Sequence, residues 1–247
     1  MIKINIFEAE KYLNEILNPE NYEDYCYNGM QIEGCHEVKK IALGVSFNEE
    51  FVNKAIEKNC QMLLVHHGIF GKNFMSLKGH LKRRVEKVIK NDLTLFGYHL
   101  PLDMNEKYGN NISILNLLNL NLKEKYSYGF IGNYEEKILF ESFVEKLYEI
   151  IPNKNFKIYK NNDYVKNVCV ISGGGASEFL GLEFKNIDTY ITGQVEEYIQ
   201  NYTKEFGMNY ICAGHYTTEI FGVKNLGELL KKKFNVETEF IDVYNDV

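Results

Sequence analysis

Apolar residues recur along the chain in two patterns, and each pattern predicts one kind of element. Ile6, Leu13 and Leu17 follow helical spacing, so residues 6–17 are predicted to form a helix. A short, nearly continuous apolar run, such as residues 61–65, is typical of a strand buried on both faces. Further strands are predicted at residues 40–46, 93–98, 167–171, 188–191, 210–213 and 237–243, and further helices at residues 48–58, 77–90, 111–118, 195–206 and 223–234. Strands that alternate with helices predict an α/β fold with mostly parallel strands.

The elements of the first half match those of the second half in order, which indicates an internal duplication. Residues 44–46 correspond to residues 172–174, residues 65–67 to residues 191–193, and residues 99–103 to residues 215–219. We therefore predict two related α/β domains, residues 1–124 and residues 125–247. Residues 123–160 do not fit the repeat and are expected to be an added element that joins the halves.

Histidines and carboxylates follow several of the predicted strands. His66 and His67 end one apolar run, and His99 and Asp103 form an H-x-x-x-D step after another. His215 and Glu219 form an H-x-x-x-E step in the second half. The carboxyl ends of parallel strands are where α/β sheets usually bind ligands. If the two halves face each other, these side chains converge on one crevice. His36 and His80, the other two of the six histidines, are assigned to the surface or a helix.

Imidazole and carboxylate groups in this arrangement predict a divalent-metal site. Adjacent residues of an extended chain point to opposite sides, so His66 and His67 do not easily chelate one ion. They would serve two neighbouring ions if the chain turns there, and Gly68 is placed to allow the turn. Asp103 and Glu219 are the candidates for bridging them. Nitrogen and oxygen donors without a thiol suit Zn, Fe, Mn, Co or Ni and do not select among them. His99 is either a further ligand or a catalytic proton carrier that orients Asp103 or a water.

Composition narrows the class of protein. The net charge of -6 disfavours a protein that coats nucleic acid by bulk attraction. The five cysteines are scattered, without a C-x-x-C pair, and are read as reduced thiols. No signal peptide and no apolar run of the ~20 residues that span a bilayer is found. We therefore expect a cytoplasmic protein without a membrane segment.

Two further segments have open readings. The glycine-rich residues 172–177 either offer backbone amides to an anion or form a tight turn that only glycine tolerates. The basic helix at residues 77–90 either steers a phosphate or nucleic-acid group or is a solvated face. The basic residues considered for this role are Lys78, Lys82, Arg83 and Arg84 of the helix, with Lys72 nearby. Asn28, Gln31 and Glu33 either support the site or form a plain structural turn.

Six motifs in fixed order give the sequence a family resemblance. They read N-G-M-Q-I-E-G, V-H-H-G-I-F, H-L-P-L-D, S-G-G-G-A-S, T-G-Q-V and G-H-Y-T-T-E. In order and spacing they resemble the Nif-three-like dinuclear-metal proteins, also called GTP cyclohydrolase I type 2 homologues, and most of all the short bacterial members of YbgI type. The resemblance covers nearly the whole chain. Many members carry acidic or histidine residues within and after the T-G-x-x motif, where this chain has Gln194 in the motif and then Glu196, Glu197 and Tyr198.

The resemblance implies two α/β domains with a two-metal site between them and a homohexameric ring with the sites facing its cavity. It also implies five metal ligands, which are His66, His67, Asp103, His215 and Glu219. The leading hypothesis is a metal-dependent hydrolase acting on a nucleotide such as GTP or on a phosphoester. One alternative is a non-catalytic metal-binding ring that holds a partner or single-stranded nucleic acid. In another, the ions only join the two halves.

Overall fold

The computed structural model describes residues 3–72, 76–153 and 155–247. These residues form two compact units, and the chain enters the first of them twice. The first unit comprises residues 1–102 and 222–243, and the second comprises residues 103–221 and 244–247. The units are interleaved along the chain, whereas the sequence analysis draws a single boundary after residue 124.

The first unit is built on a five-stranded sheet with helices on both faces. The strands of this unit, including a separate pair outside the sheet, are β1 (Ile4–Asn5), β2 (Gly29–Ile32), β3 (Glu37–Val38), β4 (Lys40–Ser46), β5 (Met62–His67), β6 (Thr94–Gly97) and β13 (Glu237–Phe240). Its helices are α1 (Ile6–Leu17), α2 (Glu49–Glu57), α3 (Gly79–Lys90) and most of α9 (Ile220–Phe234). The sheet order is β13-β4-β5-β6-β2, parallel except for β2, while β1 and β3 form a separate pair.

The central strand β5 shows why strands of the first sheet appear in the sequence as continuous apolar runs. Met62 and Leu64 pack with α1 and α9 on one face, while Leu63 and Val65 pack with α2 and α3 on the other. Both faces are therefore buried, and no polar position alternates along the strand. The expected helix at residues 6–17 is confirmed as α1, which Asn5 caps by accepting a hydrogen bond from the Phe7 amide.

The second unit contains a six-stranded sheet. Its strands are β7 (Asn121–Tyr126), β8 (Gly129–Leu139), β9 (Lys157–Tyr159), β10 (Tyr164–Ile171), β11 (Thr189–Thr192) and β12 (Asn209–Cys212). Its helices are α5 (Asn110–Leu117), α6 (Phe140–Ile150), α7 (Ile199–Phe206) and α8 (His215–Thr218). The order is β7-β8-β10-β11-β12-β9, and only the pairs β10-β11 and β11-β12 are parallel. Short α4 (Leu100–Asp103) carries the chain from one unit into the other, and 3-10 helices lie at Pro19–Asn21 and Ala176–Leu182.

The two units share the predicted architecture, an α/β fold on parallel strands. Each has three consecutive parallel strands, β4-β5-β6 in the first and β10-β11-β12 in the second. In each, a short helix follows the third of these strands. The segment expected to lie outside the repeat supplies β8 and β9, which add antiparallel strands to the two sides of the second parallel core.

The last strand belongs to the first unit. Residues 237–243 are assigned to the second half from the sequence, but β13 pairs in parallel with β4 of the first unit. Leu226 and Leu230 of α9 bring the chain back, because they are buried in the core of the first unit. Within the described part of the chain, no helix has the length and apolar character needed to cross a bilayer.

Candidate metal centre

Three imidazoles meet in the first unit, and we call them the histidine cluster: His66, His67 and His99. His66 and His67 end β5, and His99 lies two residues after the end of β6 and directly before α4. A ring nitrogen of each lies within 4.8 Å of a ring nitrogen of the other two. The neighbouring strands β5 and β6 run parallel in register, so their carboxyl ends place these residues side by side.

Hydrogen bonds fix the protonation pattern of His66. Its Nδ1 lies 2.9 Å from the backbone oxygen of Tyr98. A carbonyl oxygen only accepts, so Nδ1 carries the proton and a neutral ring has its lone pair on Nε2. A protonated Nδ1 that donates to a carbonyl is the usual support of a metal-binding histidine. His67 Nδ1 lies 3.0 Å from the Ser46 hydroxyl at the end of β4.

His99 is held by a buried carboxylate that the sequence analysis missed. Its Nδ1 donates to both oxygens of Asp24, at 3.0 and 3.1 Å, and its backbone N–H donates to Asn28 Oδ1 at 2.6 Å. Asp24 also accepts hydrogen bonds from the backbone N–H groups of Cys26 and Leu100. Asn28, left open between a site residue and a turn residue, therefore positions His99.

The charge of Asp24 is stabilised where it is buried. Burial by itself would raise the pKa of Asp24, but hydrogen bonds from His99, Asn28 and the Cys26 amide outweigh it and hold that pKa well below its usual range. Asp24, Cys26 and His99 also have donor atoms within 4.8 Å of one another. The carboxylate already accepts bonds from four groups, which fills its lone-pair sites, so we read this group as a hydrogen-bond network.

In the second unit two carboxylates and one imidazole come together, and we call them the carboxylate cluster: Asp103, His215 and Glu219. An oxygen of Asp103 lies within 4.8 Å of an oxygen of Glu219. His215 begins α8 and Glu219 follows it, so the i, i+4 spacing places both side chains on one face of the turn. His215 Nε2 lies 3.2 Å from Glu219 Oε2. Asp103 and Glu219 are both buried.

Amide and hydroxyl groups hold Asp103 in place. Asn110 Nδ2 donates to Asp103 Oδ1 at 2.8 Å, and the Ser172 hydroxyl donates to the same oxygen at 3.1 Å. Asn111 Nδ2 donates to the backbone oxygen of Asp103 at 3.1 Å. The sequence analysis did not single out Asn110 or Asn111. They lie beyond the H-x-x-x-D step, at the start of the next helix, and only the fold shows where their amides point.

The glycine-rich turn packs against the carboxylate cluster. The amides of Ser172, Gly173 and Gly175 donate to side-chain oxygens of Asn111, Thr218 and Thr192. These donors are therefore used inside the protein, which favours the tight turn over anion binding. A β-carbon on Gly173 would lie 2.0 Å from Glu219 Oε1 and 3.0 Å from His215 Nε2, and Gly173 has a φ of 63°. This position requires glycine for both reasons.

The remaining histidines and the basic cluster lie at the surface. His36 pairs with Glu33, which is thereby a surface residue, and His80 is exposed on α3. Arg84 donates to the backbone oxygen of Phe47 at 2.9 Å, and is a structural residue. Lys72, Lys78, Lys82 and Arg83 are exposed. All five cysteines are free thiols, as expected.

The donor set of both clusters fits divalent transition ions. It contains imidazole nitrogens and carboxylate oxygens, and these donors suit Zn, Fe, Mn, Co and Ni. The buried carboxylates and the hydrogen bond on His66 Nδ1 are the kind of support that such ligands have in metalloproteins. The residues present therefore fit metal binding.

Fold and site together define an α/β protein with residues that could hold a metal ion at the ends of parallel strands. The chain belongs to the Duf34/NIF3 (NGG1p interacting factor 3) family, which it matches over residues 4–247. It is 32% identical to the GTP cyclohydrolase 1 type 2 homolog of Haemophilus influenzae, across 98% of this chain and 99% of that protein. It is 36% identical to the homolog of the same name from Pyrococcus horikoshii, across 95% and 96%.

Solved structures of the family share the fold. The protein ybgI, of unknown function, superposes with a TM-score of 0.93 at 28% identity, over 99% of this chain and 100% of that one. A protein of Thermus thermophilus superposes with a TM-score of 0.92 at 30% identity, again over 99% and 100%. The family resemblance stated from the six motifs is thereby confirmed.

Proposed function

We propose that the chain is a metal-dependent hydrolase that holds two divalent cations and acts on a nucleotide or a related small molecule. The proposed ligands are His66, His67, Asp103, His215 and Glu219. The observation that carries the proposal is the histidine cluster, in which three imidazoles gather donor nitrogens within 4.8 Å at the ends of β5 and β6. The shared name of the relatives, GTP cyclohydrolase 1 type 2 homolog, supports a purine nucleotide as the substrate class.

Each cluster would contribute differently to this chemistry. Two bound divalent cations would supply Lewis-acid activation of water and of the electrophilic atom of the substrate. In the proposal, His66 and His67 hold one cation each, and Asp103 and Glu219 bring negative charge to the site. The Ser172 and Asn110 hydrogen bonds keep the Asp103 carboxylate oriented.

His99 is the proposed proton carrier. Its Nδ1 donates to Asp24, so the protons that it exchanges with substrate or water pass through Nε2. An imidazole fixed at one nitrogen can accept and return a proton at the other, which is the arrangement of a general acid–base group. The second possibility for His99, a further metal ligand at the same atom, differs in its consequence, because its loss would lower the metal content.

We further propose that the protein works as a homohexamer in the cytoplasm. The family resemblance supports the hexamer, and the five free thiols support a reducing compartment. Light scattering of the purified protein should give a particle of six chains of 28.8 kDa each. A monomer or dimer at micromolar concentration would contradict this part of the proposal.

The proposed hydrolase activity is tested by removing the metal and then restoring it. The protein is stripped with a chelator, reloaded with one metal at a time and assayed on purine nucleotides and phosphoesters. We expect turnover that at least one metal restores, and a loss of about 100-fold or more in His99→Gln with unchanged metal content. No turnover by any reloaded form would overturn the hydrolase.

Two further variants separate the alternatives. In Glu219→Gln, activity should fall far more than the melting temperature. A fall in activity that is matched by a fall in melting temperature would instead support the alternative in which the ions only join the halves. Salt-dependent binding of single-stranded nucleic acid that persists in His66→Ala would support the non-catalytic ring.

A further inference from the structure

A preformed cavity of about 550 Å³ lies in the first unit, beside the histidine cluster. Two segments line it, residues 24–31 and residues 70–72. Backbone hydrogen bonds hold these segments together, from the Tyr27 amide to the Phe70 oxygen at 2.8 Å and from the Lys72 amide to the Tyr25 oxygen at 2.7 Å. The volume lies within the range of small-molecule sites, roughly 300–1,000 Å³.

Gln31 fixes the second of these segments from inside the cavity wall. Its Oε1 accepts hydrogen bonds from the amides of Ile69 and Phe70, at 2.8 and 3.3 Å, and its Nε2 donates to the Tyr27 oxygen at 2.7 Å. One side chain therefore joins both walls. A site held in this way needs little rearrangement before it binds a ligand.

The cavity wall contains aromatic rings that the protein core does not use. Tyr25 and Tyr27 are 52% and 56% exposed, and Phe70 is half-buried. All three line the cavity, together with Met30. Exposed aromatic rings grouped in a concave surface are characteristic of a site for an apolar planar ligand. Scattered single aromatics on a convex surface would carry no such meaning.

The cavity also adjoins the histidine cluster. The ring of Tyr25 meets the ring of His99 edge to face, with 4.9 Å between centroids. Asp24, which orients His99, belongs to the cavity lining. A ligand stacked on Tyr25 would therefore present its far end to the imidazoles at the ends of β5 and β6.

Charge defines the second feature of the ligand. Among the lining residues that the structure describes, Lys72 is the cation, and its ammonium lies 3.7 Å from Glu23, with side chains 64% and 95% exposed. Such an exposed pair is worth little and yields readily to an anionic ligand. The Asp24 carboxylate is bound by the amides of Cys26 and Leu100 and its side chain is only 2% exposed, so Lys72 is the more accessible charge of the two. The lining therefore favours an anionic substituent near Lys72.

We propose that this cavity binds a planar aromatic ring system that bears an anionic group, with the ring against Tyr25 and Tyr27 and the anion at Lys72. The cavity would thereby select the substrate of the proposed hydrolase, and this link to catalysis rests on the proposed function. Binding itself does not, because the lining contains none of the five proposed metal ligands.

The test uses the metal-free full chain and matched probes in calorimetric titrations. The probe 1-naphthyl phosphate combines ring and anion, cyclohexyl phosphate lacks the aromatic ring, and 1-naphthol lacks the anion. We expect saturable binding of 1-naphthyl phosphate and at least tenfold weaker binding of the other two. Equal affinity for the two phosphates would overturn the aromatic recognition, and equal affinity for 1-naphthol would overturn the anion site.

Variants of the lining residues test whether the probe binds in this cavity. Tyr25→Ala and Lys72→Ala should each weaken the binding of 1-naphthyl phosphate by about tenfold, the effect expected for the loss of one stacked ring or one charge contact. Tyr25→Phe keeps the ring and should bind as the wild type does, so a folding defect is distinguished from a lost contact. Tyr164→Ala removes a comparably exposed tyrosine, 43%, from the second unit and is the matched control. Unchanged affinity in Tyr25→Ala would overturn the proposal.

The results that would overturn the cavity proposal differ from those that would overturn the proposed hydrolase activity. Metal-dependent turnover with no binding of 1-naphthyl phosphate to the metal-free chain would overturn the cavity proposal alone. Binding that depends on Tyr25 and Lys72, without turnover by any reloaded form, would support the cavity and overturn the hydrolase.

Discussion

Gly173 shows how closely the carboxylate cluster depends on single atoms. It has a φ of 63°, and the space that a β-carbon would occupy is filled by Glu219 and His215. Gly207 at the end of α7 has nearly the same backbone angle, 66°, but nothing lies within 4 Å of its β-carbon position. The two glycines therefore separate backbone strain from crowding of the proposed ligands.

We predict that Gly173→Ala weakens metal binding by at least tenfold, because the added methyl group must displace the Glu219 carboxylate. Gly207→Ala should cost only the left-handed strain, about 1–2 kcal/mol of unfolding free energy, with unchanged metal affinity. Calorimetric metal titrations and urea unfolding of both variants measure the two effects. Equal metal affinity in both would show that Gly173 matters only for its backbone.

At Asp24 the prediction concerns the tautomer of His99. A carboxylate only accepts hydrogen bonds, so it keeps the proton on His99 Nδ1. In Asp24→Asn, an amide group faces at least one former N–H donor, which should lower the unfolding free energy by about 1–3 kcal/mol. We also predict a population of His99 protonated at Nε2 in the neutral ring, read from nitrogen-15 NMR of the imidazole.

Asp188→Asn is the control for this experiment. Asp188 is a second, partly buried aspartate, and it accepts hydrogen bonds from the backbone amides of Lys166 and Asn167, at 2.8 Å each. Its replacement should cost stability but leave the His99 spectrum unchanged. A His99 spectrum identical in wild type and Asp24→Asn would refute the positioning role of Asp24.

At the scale of elements, short helices after the strands carry some of the proposed metal ligands. His215 opens the four-residue α8, and Asp103 closes the four-residue α4. Because residues four apart share a helix face, each H-x-x-x-[D/E] step needs one turn only. The long helices α1, α2 and α9 instead cover the first sheet and contribute to its core.

Strand β13 is fixed to the first sheet by charge as well as by backbone pairing. Glu239 lies between Lys40 and Lys58, and hydrogen bonds from both ammonium groups hold the pKa of Glu239 below its ordinary value of 4.5. The stabilisation is therefore present above pH 4.5 and is lost as the pH falls through the lowered pKa.

We predict that Glu239→Gln lowers the unfolding free energy at pH 7 by roughly 0.5–1 kcal/mol, since the groups are partly exposed. The difference from the wild type should shrink below pH 4.5, because the wild-type carboxyl then becomes neutral as well. Urea unfolding at several pH values measures it. A difference that stays constant as the pH falls well below this value would contradict the assignment. Glu237→Gln, on the same strand, is the control.

Elements could be predicted where local periodicity decides the structure. The spacing of Ile6, Leu13 and Leu17 defines α1, and the run at residues 61–65 defines most of β5. Strand β2 (Gly29–Ile32) was not predicted, because a half-buried edge strand of Gly-Met-Gln-Ile has no alternating pattern. The pairing of β13 with β4 is a contact between distant residues, which periodicity does not encode.

At the scale of the whole molecule, the candidate site also combines features that the local sequence encodes with features that depend on contacts between distant residues. The histidines and carboxylates were found because they end apolar runs and recur in both halves. Asp24 was missed because its partner His99 lies 75 residues further along the chain. The aromatic cavity was missed for the same reason, since its walls come from two segments about 40 residues apart.

At this scale the central claim is that one chain holds two divalent cations through His66, His67, Asp103, His215 and Glu219. The most direct measurement is the metal content per chain, by elemental analysis after saturation and removal of excess ion. We predict two ions per wild-type chain, no more than one in His66→Ala and His67→Ala, and fewer than one in Glu219→Gln. His80→Ala, an exposed histidine on α3, should retain two. A wild type that retains one ion or fewer, or a Glu219→Gln variant that retains two, would contradict the account.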